Sequence, residues 1–331
     1  MKLHQVISYP LAFKYKTVVW VRNKMYDWGW IKTTSFKTPT LCIGNLSMGG
    51  TGKTPMAALL IEMLHSDYKI AVLTRGYGRK TKGLIHANPN STASEIGDEP
   101  KQLLSTFPYI ELVACEKRVE GMHYIESQLK VDLVILDDAF QHRKLTPKVA
   151  ILLTTYTKLY CNDFYFPTGT LRDHKMAAHR AQVVVVTKSP KTLSLDQKKK
   201  VENCLKLKPD QKLFFSHLNY DDTLKGLHGS RSLHEVLKSP FCLVTGIADS
   251  SPIVEYLSKL GGNFTHKNYK DHQKYTSKEI DAIKRESIIV TTEKDFVKLQ
   301  GSLDSLYYIS VGHEIEEKEL FENTLRALIK T

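Results

Sequence analysis

Residues 44–55 read GNLSMGGTGKTP, and this stretch decides the fold of the chain. It continues the apolar run TPTLCI and precedes the helical pattern MAALLIEMLH, so it predicts a turn from a strand into a helix. Glycines in such a turn let backbone N–H groups face inward, and the helix N-terminus adds a positive potential. The stretch therefore predicts a loop that binds the phosphates of a nucleotide.

The positions of this loop have predicted roles. Lys53 is expected to neutralise the transferring phosphoryl group, and Thr54 to offer its hydroxyl to Mg²⁺. Ser47 stands where the strict G-x-x-x-x-G-K-[ST] pattern opens with glycine, so the later glycines are expected to supply the turn. The predicted nucleotide-binding residues are Ser47, Met48, Gly49, Gly50, Thr51, Gly52, Lys53 and Thr54.

A second motif places two carboxylates at the end of another strand. In VDLVILDDAFQHR the apolar residues 133–136 are followed by Asp137 and Asp138. Carboxylates at this position beside a phosphate loop typically hold magnesium. A helix cap is the alternative, but a single aspartate would satisfy it. We predict a metal site formed by Thr54, Asp137 and Asp138.

Further polar residues are candidates for the acceptor side of the reaction. EIGDEP places Asp98 and Glu99 in a turn, where a carboxylate either takes a hydroxyl proton or caps a helix. KDHQKYT places Asp271 beside His272, a pair that by itself is more often structural. Arginine side chains can bind phosphate through two parallel N–H···O hydrogen bonds, or they can be exposed surface charges. The substrate candidates are Arg75, Tyr77, Arg118, Gln141 and Arg172.

The order of elements indicates an α/β protein. Short apolar runs without polar alternation suit strands buried on both faces, and therefore a parallel sheet covered by helices. The chain turns polar and basic near residues 194–212, which predicts a boundary there. The predicted divisions are a membrane-interface segment at 1–32, a nucleotide-binding domain at 33–210, a β-ribbon at 211–230 and a smaller α/β domain at 231–331.

Composition narrows the class of partner. Lys and Arg total 47 against 35 Asp and Glu, a net charge of +12 that suits an anionic partner. The five cysteines are scattered singly, which argues against a zinc knot or a disulfide framework and favours a reducing setting. No run approaches the roughly 20 apolar residues of a membrane span, and the N-terminus lacks the features of a signal peptide.

The N-terminal segment is rich in aromatic and basic residues. The chain has 3 tryptophans, and all lie here, at Trp20, Trp28 and Trp30. Residues 10–32 interleave aromatic and aliphatic side chains with lysines and arginines, as in a helix that lies in a membrane interface. A helix that packs on the next domain has the same composition. The sequence leaves both interpretations open.

Taken together, the motifs resemble the tetraacyldisaccharide 4′-kinases of lipid A biosynthesis, over nearly the whole chain. The resemblance is carried by RNKMYDWGW, IGNLSMGGTGKTP, LTRGYGR, GDEP, LDDAFQHR, FPTGTLRD, VVVVTKSP, DHQKYT and VTTEKDFVKL. It implies two α/β/α sandwich domains joined by a short ribbon, with the active site between them. It also implies transfer of the γ-phosphoryl group of ATP, with Mg²⁺, to the 4′-hydroxyl of an acylated glucosamine disaccharide 1-phosphate. The expected setting is the cytoplasmic face of the inner membrane, with a peripheral monomer that binds no nucleic acid.

The resemblance also implies roles for individual residues. Asp98 would be the catalytic carboxylate, assisted by His272, while Lys53 holds the phosphates. The chain departs from the family pattern at three positions: Ala139 stands in place of glycine, Asp173 in place of glutamate, and Gln273 in place of a second histidine. None of the three removes a proposed catalytic group.

Two other functions compete with the kinase interpretation. A nucleotide-driven switch or partner-regulating NTPase would use the same loop, and Thr187-Lys188 resembles a base-recognition turn of such proteins. This hypothesis leaves the N-terminal tryptophans and KDHQKYT without a role. A nucleic-acid binder is supported only by the net charge.

Overall fold

The protein is built from two β-sheets, each with helices against both faces. The computed structural model describes residues 3–271 and 273–330, with side chains from Ser8 onward. The strands are β1 (Thr40–Asn45), β2 (Ile70–Thr74), β3 (Ile85–Ala87), β4 (Glu111–Ala114), β5 (Leu133–Leu136), β6 (Val149–Thr155), β7 (Val183–Thr187), β8 (Lys212–Tyr220), β9 (Thr223–Gly226), β10 (Gly229–Ser232), β11 (Phe241–Thr245), β12 (Phe264–Asn268), β13 (Ile289–Thr292), β14 (Leu306–Ile309) and β15 (Val311–Ile315). The α-helices are α1 (Leu3–Asp27), α2 (Lys53–Leu64), α3 (Ala93–Ile96), α4 (Asp98–Thr106), α5 (Arg118–Gln128), α6 (Leu195–Leu205), α7 (Leu233–Val236), α8 (Ser251–Lys259), α9 (Ser277–Lys284), α10 (Glu293–Leu299) and α11 (Lys318–Lys330).

The first sheet has nine strands in the order β15-β8-β7-β6-β1-β5-β2-β4-β3. Its pairings are parallel except at the two edges, where β15 and β3 run antiparallel to their neighbours. Every residue of β1, β2 and β7 is buried, because helices cover both faces. This burial is the reason for the uninterrupted apolar runs, and it confirms the predicted α/β class.

The second sheet has six strands in the order β10-β9-β14-β13-β11-β12. Its central pairings are parallel, and the β9–β10 hairpin forms an antiparallel edge. Separate hydrophobic cores lie on the two faces of this sheet. The chain therefore has two α/β units, as the sequence predicts.

The C-terminus returns to the first sheet. β15 pairs with β8 to form an antiparallel ribbon, and α11 buries Phe321, Leu325 and Ile329 in the core beside α2. The segment 311–330, assigned above to the smaller domain, therefore belongs with the first sheet. The ribbon also differs from the one expected at 211–230, because its second strand comes from the C-terminus while β9 joins the second sheet.

One disulfide joins Cys161, in a 3-10 helix, to Cys204 in α6. This disulfide corrects the expectation from the singly scattered cysteines, which argued against a disulfide framework. Folding places α6 against the 3-10 helix, so two residues separated by 43 positions meet in space. Spacing along the chain does not reveal that contact.

Helix α1 packs on the first domain through one face and leaves an apolar face exposed. Tyr15 donates its hydroxyl to the carbonyl of Arg172 at 3.0 Å, and Asn23 donates to the Asp173 carboxylate at 2.7 Å. The exposed side chains include Leu11, Phe13, Val18 and Trp20. Within the described residues, no helix has the length and apolarity to cross a bilayer.

Candidate active site

The phosphate loop lies between the end of β1 and the start of α2. Gly49 and Gly52 have φ of 113° and 86°, a left-handed backbone that favours glycine. The loop is fixed at Thr51, whose hydroxyl accepts from Asn45 Nδ2 at 2.7 Å and whose carbonyl accepts from Thr187 Oγ1 at 2.9 Å. These bonds hold the loop open toward the cavity, with Lys53 and Thr54 in the first turn of α2.

Serine fits the opening position of the loop because that position is not part of the turn. Ser47 is buried and donates its hydroxyl to Asp163 Oδ2 at 3.3 Å. Its backbone forms an isolated antiparallel β-bridge with Leu171. Its neighbour Met48 donates its backbone N–H to the carbonyl of Thr170 at 2.7 Å. The segment before the glycines is therefore held by the 163–171 loop. A serine at position 47 is compatible with this arrangement because no glycine conformation is needed there.

The two carboxylates at the end of β5 occupy different environments. Asp138 forms ion pairs with Lys53, at 3.8 Å, and with Arg172. Burial alone would raise the pKa of Asp138, but these two cations outweigh it and hold the pKa below its usual range. Asp138 is therefore ionised. Its backbone has a positive φ of 45°. Ala139 has no positive φ, so this turn does not require the glycine that is absent there.

Asp137 is the carboxylate best suited to bind a cation. It is buried, its Oδ2 lies 3.5 Å from the Thr74 hydroxyl, and its Oδ1 has no hydrogen-bond partner among the described residues. Burial, together with the negative charges of Glu99 and Asp138, raises the pKa of Asp137 to about 7. A buried carboxylate without a full set of partners is costly unless a cation completes it.

The fit to magnesium rests on this orphaned oxygen. In the part of the chain that the structure describes, no group of three or more His, Cys, Asp or Glu side chains forms a ready metal cage. Mg²⁺ at a phosphate loop typically takes only one or two carboxylates and fills its other positions with water and phosphate oxygens. Thr54, Asp137 and Asp138 are suited to such a site.

A cavity of about 520 Å³ lies in front of the loop, between the two sheets. The phosphate loop, Tyr77, Glu99 and Arg172 line its first side. Its second side is largely apolar and comes from the other domain and the ribbon, through Leu218, Tyr220, Ile247, Ala248, Pro252, Ile253, Ile309 and Val311. The phosphates and metal thus have a polar wall, and the rest of a ligand has an apolar one.

The N-terminus of α4 carries the candidate acceptor carboxylates. Asp98 is the first residue of this helix, and its carboxylate lies 3.3 Å from Lys298 Nζ. Glu99 faces the cavity and pairs with Lys294 at 3.6 Å. Both lysines belong to α10 of the second domain. His272 lies outside the described residues, while its neighbour Asp271 pairs with Lys294 at 3.1 Å.

The structure separates the other substrate candidates. Tyr77 and Arg172 line the cavity, whereas Arg75 is exposed outside its lining. Arg118 is buried and donates to the carbonyls of Cys115, at 2.7 Å, and Asp137, at 3.3 Å, so it supports the carboxylate turn from behind. Gln141 donates to the carbonyl of Asn45 at 2.7 Å.

Two residues near the site have no role predicted from the sequence. Lys294 and Lys298 stand in VTTEKDFVKL, one of the stretches that carry the family resemblance, and that stretch by itself assigns them no function. Their four-residue spacing puts them on one face of a helix, which is the signal that was available. The packing of α10 against α4 across the domain boundary could not be predicted from the sequence.

The substitution Asp137→Asn is expected to stabilise the metal-free protein at pH 8 and to reduce the further stabilisation that Mg²⁺ provides. Burial raises the folded-state pKa of Asp137 to about 7, above the usual value of 3.8 for an aspartate side chain. Ionisation therefore destabilises the fold as the pH rises through that window, and the penalty is complete above about 7. Asp137→Asn should raise the melting temperature by a few degrees at pH 8 and hardly at all near pH 4, as measured by thermal unfolding without Mg²⁺. An equal shift at both pH values would contradict this account.

Comparisons with known proteins agree with this geometry. The family model described as Tetraacyldisaccharide-1-P 4′-kinase matches residues 4–330. A tetraacyldisaccharide 4′-kinase of Flavobacterium johnsoniae is 38% identical over 337 residues, covering 100% of this chain and 98% of the relative. One from Bacteroides thetaiotaomicron is 39% identical over 319 residues, covering 90% of this chain and 84% of the relative.

Among solved structures, the fold matches LpxK from Aquifex aeolicus, which was crystallised in an "apo" form in complex with ATP. The TM-score is 0.80 at 25% sequence identity, and the match covers 99% of this chain and 100% of the other. The family model and the solved structure each match this chain over nearly its whole length. The chain therefore belongs to the tetraacyldisaccharide-1-phosphate 4′-kinase family.

Proposed function

We propose that this chain transfers the γ-phosphoryl group of ATP to the 4′-hydroxyl of an acylated glucosamine disaccharide 1-phosphate. The observation that carries the proposal is the cavity in which the phosphate loop faces Glu99 in the first turn of α4, the helix that begins at Asp98. Family membership gives the substrate class, and the two-sided cavity fits a reaction that joins a nucleotide to a second ligand. Here the enzyme is a phosphotransferase with an alcohol group as acceptor.

The nucleotide binds through the loop. Backbone N–H groups of residues 49–54 and the N-terminus of α2 surround the β- and γ-phosphates, and Lys53 neutralises the transferring group. Thr54, Asp137 and Asp138 would hold Mg²⁺, which would offset phosphate charge when bound. Arg172 fixes the position of Asp138, since it also reaches Asn45 Oδ1 at 2.5 Å.

The acceptor hydroxyl is deprotonated by Asp98. A carboxylate can take a proton as the hydroxyl attacks, and the hydroxyl oxygen then bonds to the γ-phosphorus while ADP leaves. Lys298 holds Asp98 from the second domain, while the buried Asp295 holds Lys298 at 3.4 Å. His272 is proposed to assist Asp98, as the family resemblance implies.

The apolar face of α1 binds the membrane surface on which the acylated substrate lies. Phe13 and Val18 are 62% and 67% exposed, and Lys14 and Lys16 lie among the same turns of the helix. Aromatic rings at headgroup depth and cations near anionic lipid are the composition of an interfacial helix. We infer a peripheral protein on the cytoplasmic face of the inner membrane, acting as a monomer.

Removal of two rings from this face should weaken membrane binding. The variant Phe13→Ser/Trp20→Ser is expected to bind vesicles containing anionic phosphatidylglycerol at least about a hundredfold less tightly, since burial of each such ring contributes roughly 1.5–3 kcal/mol and about 1.4 kcal/mol corresponds to a factor of ten. Cosedimentation measures the partition. The control is Leu320→Ser, which removes a side chain that is 55% exposed on α11. Equal losses in both variants would contradict the assignment of the surface to α1.

Transfer of labelled γ-phosphate tests the function itself. The chain is incubated with ATP and acylated disaccharide 1-phosphate in mixed micelles, once with Mg²⁺ and once with a chelator. A labelled lipid that requires Mg²⁺ is the expected result. Hydrolysis of ATP without labelled lipid would contradict the proposal and favour the switch NTPase.

A further inference from the structure

His313, on the ribbon strand β15, is buried directly beneath the phosphate loop. Its Nε2 lies 2.9 Å from the carbonyl oxygen of Gly52, and its Nδ1 lies 3.1 Å from the hydroxyl of Ser216 on β8. A carbonyl oxygen only accepts, so Nε2 carries the proton and donates it. Burial lowers the pKa of His313 to about 4, which keeps the ring neutral and leaves Nδ1 to accept from Ser216.

The bond to Gly52 sets the orientation of the peptide that opens helix α2. The Gly52 carbonyl also accepts the backbone N–H of Met56 at 3.0 Å, so two donors hold it on the side of the ribbon. In a planar trans peptide, the N–H of the next residue points the opposite way. The N–H of Lys53 is one of the helix-start donors without an acceptor in the helix, and this arrangement aims it away from the ribbon.

The imidazole also fills the space beside the Cα atom of Gly52. A Cβ at this position would lie 2.4 Å from Nε2, and the φ of this glycine is already +86°. Glycine and the His313 ring therefore pack directly against each other, and a larger residue at position 52 would displace the ring.

The strand that carries His313 comes directly from the second domain. β14 ends at Ile309 in the second sheet, and β15 begins at Val311 in the first. Both residues line the cavity. Ser310 alone separates the second sheet from the strand whose histidine contacts Gly52.

We propose that His313 is a positioning residue that holds the Gly52–Lys53 peptide in its phosphate-binding orientation and ties the phosphate loop to the interdomain ribbon. The inference rests on the proposed function only in that a nucleotide binds this loop. It requires no particular acceptor.

The test compares His313→Leu, which removes the donor, with His313→Gln, which supplies an amide donor of similar reach. Affinity for a fluorescent ATP analogue with Mg²⁺ is measured first, followed by kcat and the KM values for ATP and for the lipid. His313→Leu should weaken nucleotide binding about tenfold, the usual scale for loss of one buried hydrogen bond. The KM for the lipid should stay within about twofold, and His313→Gln should recover most of the affinity.

Matched variants exclude a loss that reflects folding alone. His217→Gln alters the neighbouring histidine of the ribbon, which pairs with Glu314 at 3.1 Å, and should leave nucleotide affinity unchanged. If His313→Leu does not fold, Ser216→Ala frees Nδ1 while the ring remains, and should weaken the affinity about threefold. Unchanged nucleotide affinity in a folded His313→Leu, or in Ser216→Ala where it replaces that variant, would overturn the inference.

The outcomes separate this inference from the proposed function. If the unaltered chain bound nucleotide but phosphorylated no lipid, the proposed function would fail. The affinity ratio between His313→Leu and His313→Gln would still decide the role of His313. Normal lipid phosphorylation with no difference between these variants would overturn only the positioning role.

Discussion

Replacement of Lys53 by methionine is expected to lower the rate of phosphoryl transfer about a thousandfold, the upper end of the range for removing one electrostatic contact to a transition state. The side chain begins at the N-terminus of α2, lines the cavity, and its Nζ lies 3.8 Å from Asp138. Methionine keeps the length and apolar stem but removes the charge. The variant therefore loses neutralisation of the transferring group, and Asp138 loses one of its two cations.

Transfer of label from saturating ATP measures this effect. Lys199→Met, on the exposed side of α6, removes the same charge far from the loop and should retain full activity. Thermal unfolding establishes that both variants are folded. If Lys53→Met kept more than a tenth of the activity, the loop would not be the site of transfer.

The parts of the site that follow each other along the chain are predictable from sequence. The loop joins a strand to a helix within twelve residues, and Asp137 and Asp138 directly follow β5. In both places local pattern and local structure coincide, because apolar runs mark buried strands and glycine marks a left-handed turn. The predicted position of the phosphate loop next to the metal carboxylates depends only on parallel strands ending at one edge.

The parts that depend on long-range pairing were not predictable. Nothing in the pattern around His313 distinguishes it from an ordinary strand residue, because its role arises only when β15 returns to pair with β8. The same return carries α11 back to the first core. Lys298 likewise contacts Asp98 only because α10 packs against α4. Such contacts follow from the arrangement of whole elements rather than from the local sequence.

Asparagine in place of Asp98 is expected to reduce kcat by about 10²- to 10⁴-fold, the usual contribution of general base catalysis. Asparagine has the same shape and can still accept a hydrogen bond from Lys298, which lies 3.3 Å from the carboxylate. It cannot take the hydroxyl proton. Because Asp98 is proposed to act on the acceptor, affinity for the nucleotide should stay within about twofold, as measured with a fluorescent ATP analogue.

Glu99→Gln provides the sharpest comparison, because the two carboxylates are adjacent but face different partners. Glu99 lines the cavity and its charge acts on Asp137, so its loss should raise the Mg²⁺ concentration needed for half-maximal rate. Asp98→Asn should leave that concentration unchanged while kcat falls. Asp281→Asn, an exposed substitution on α9, should alter neither quantity. If Asp98→Asn instead shifted the Mg²⁺ requirement or weakened nucleotide binding with kcat intact, Asp98 would belong to the nucleotide side and the proton acceptor would have to be sought elsewhere.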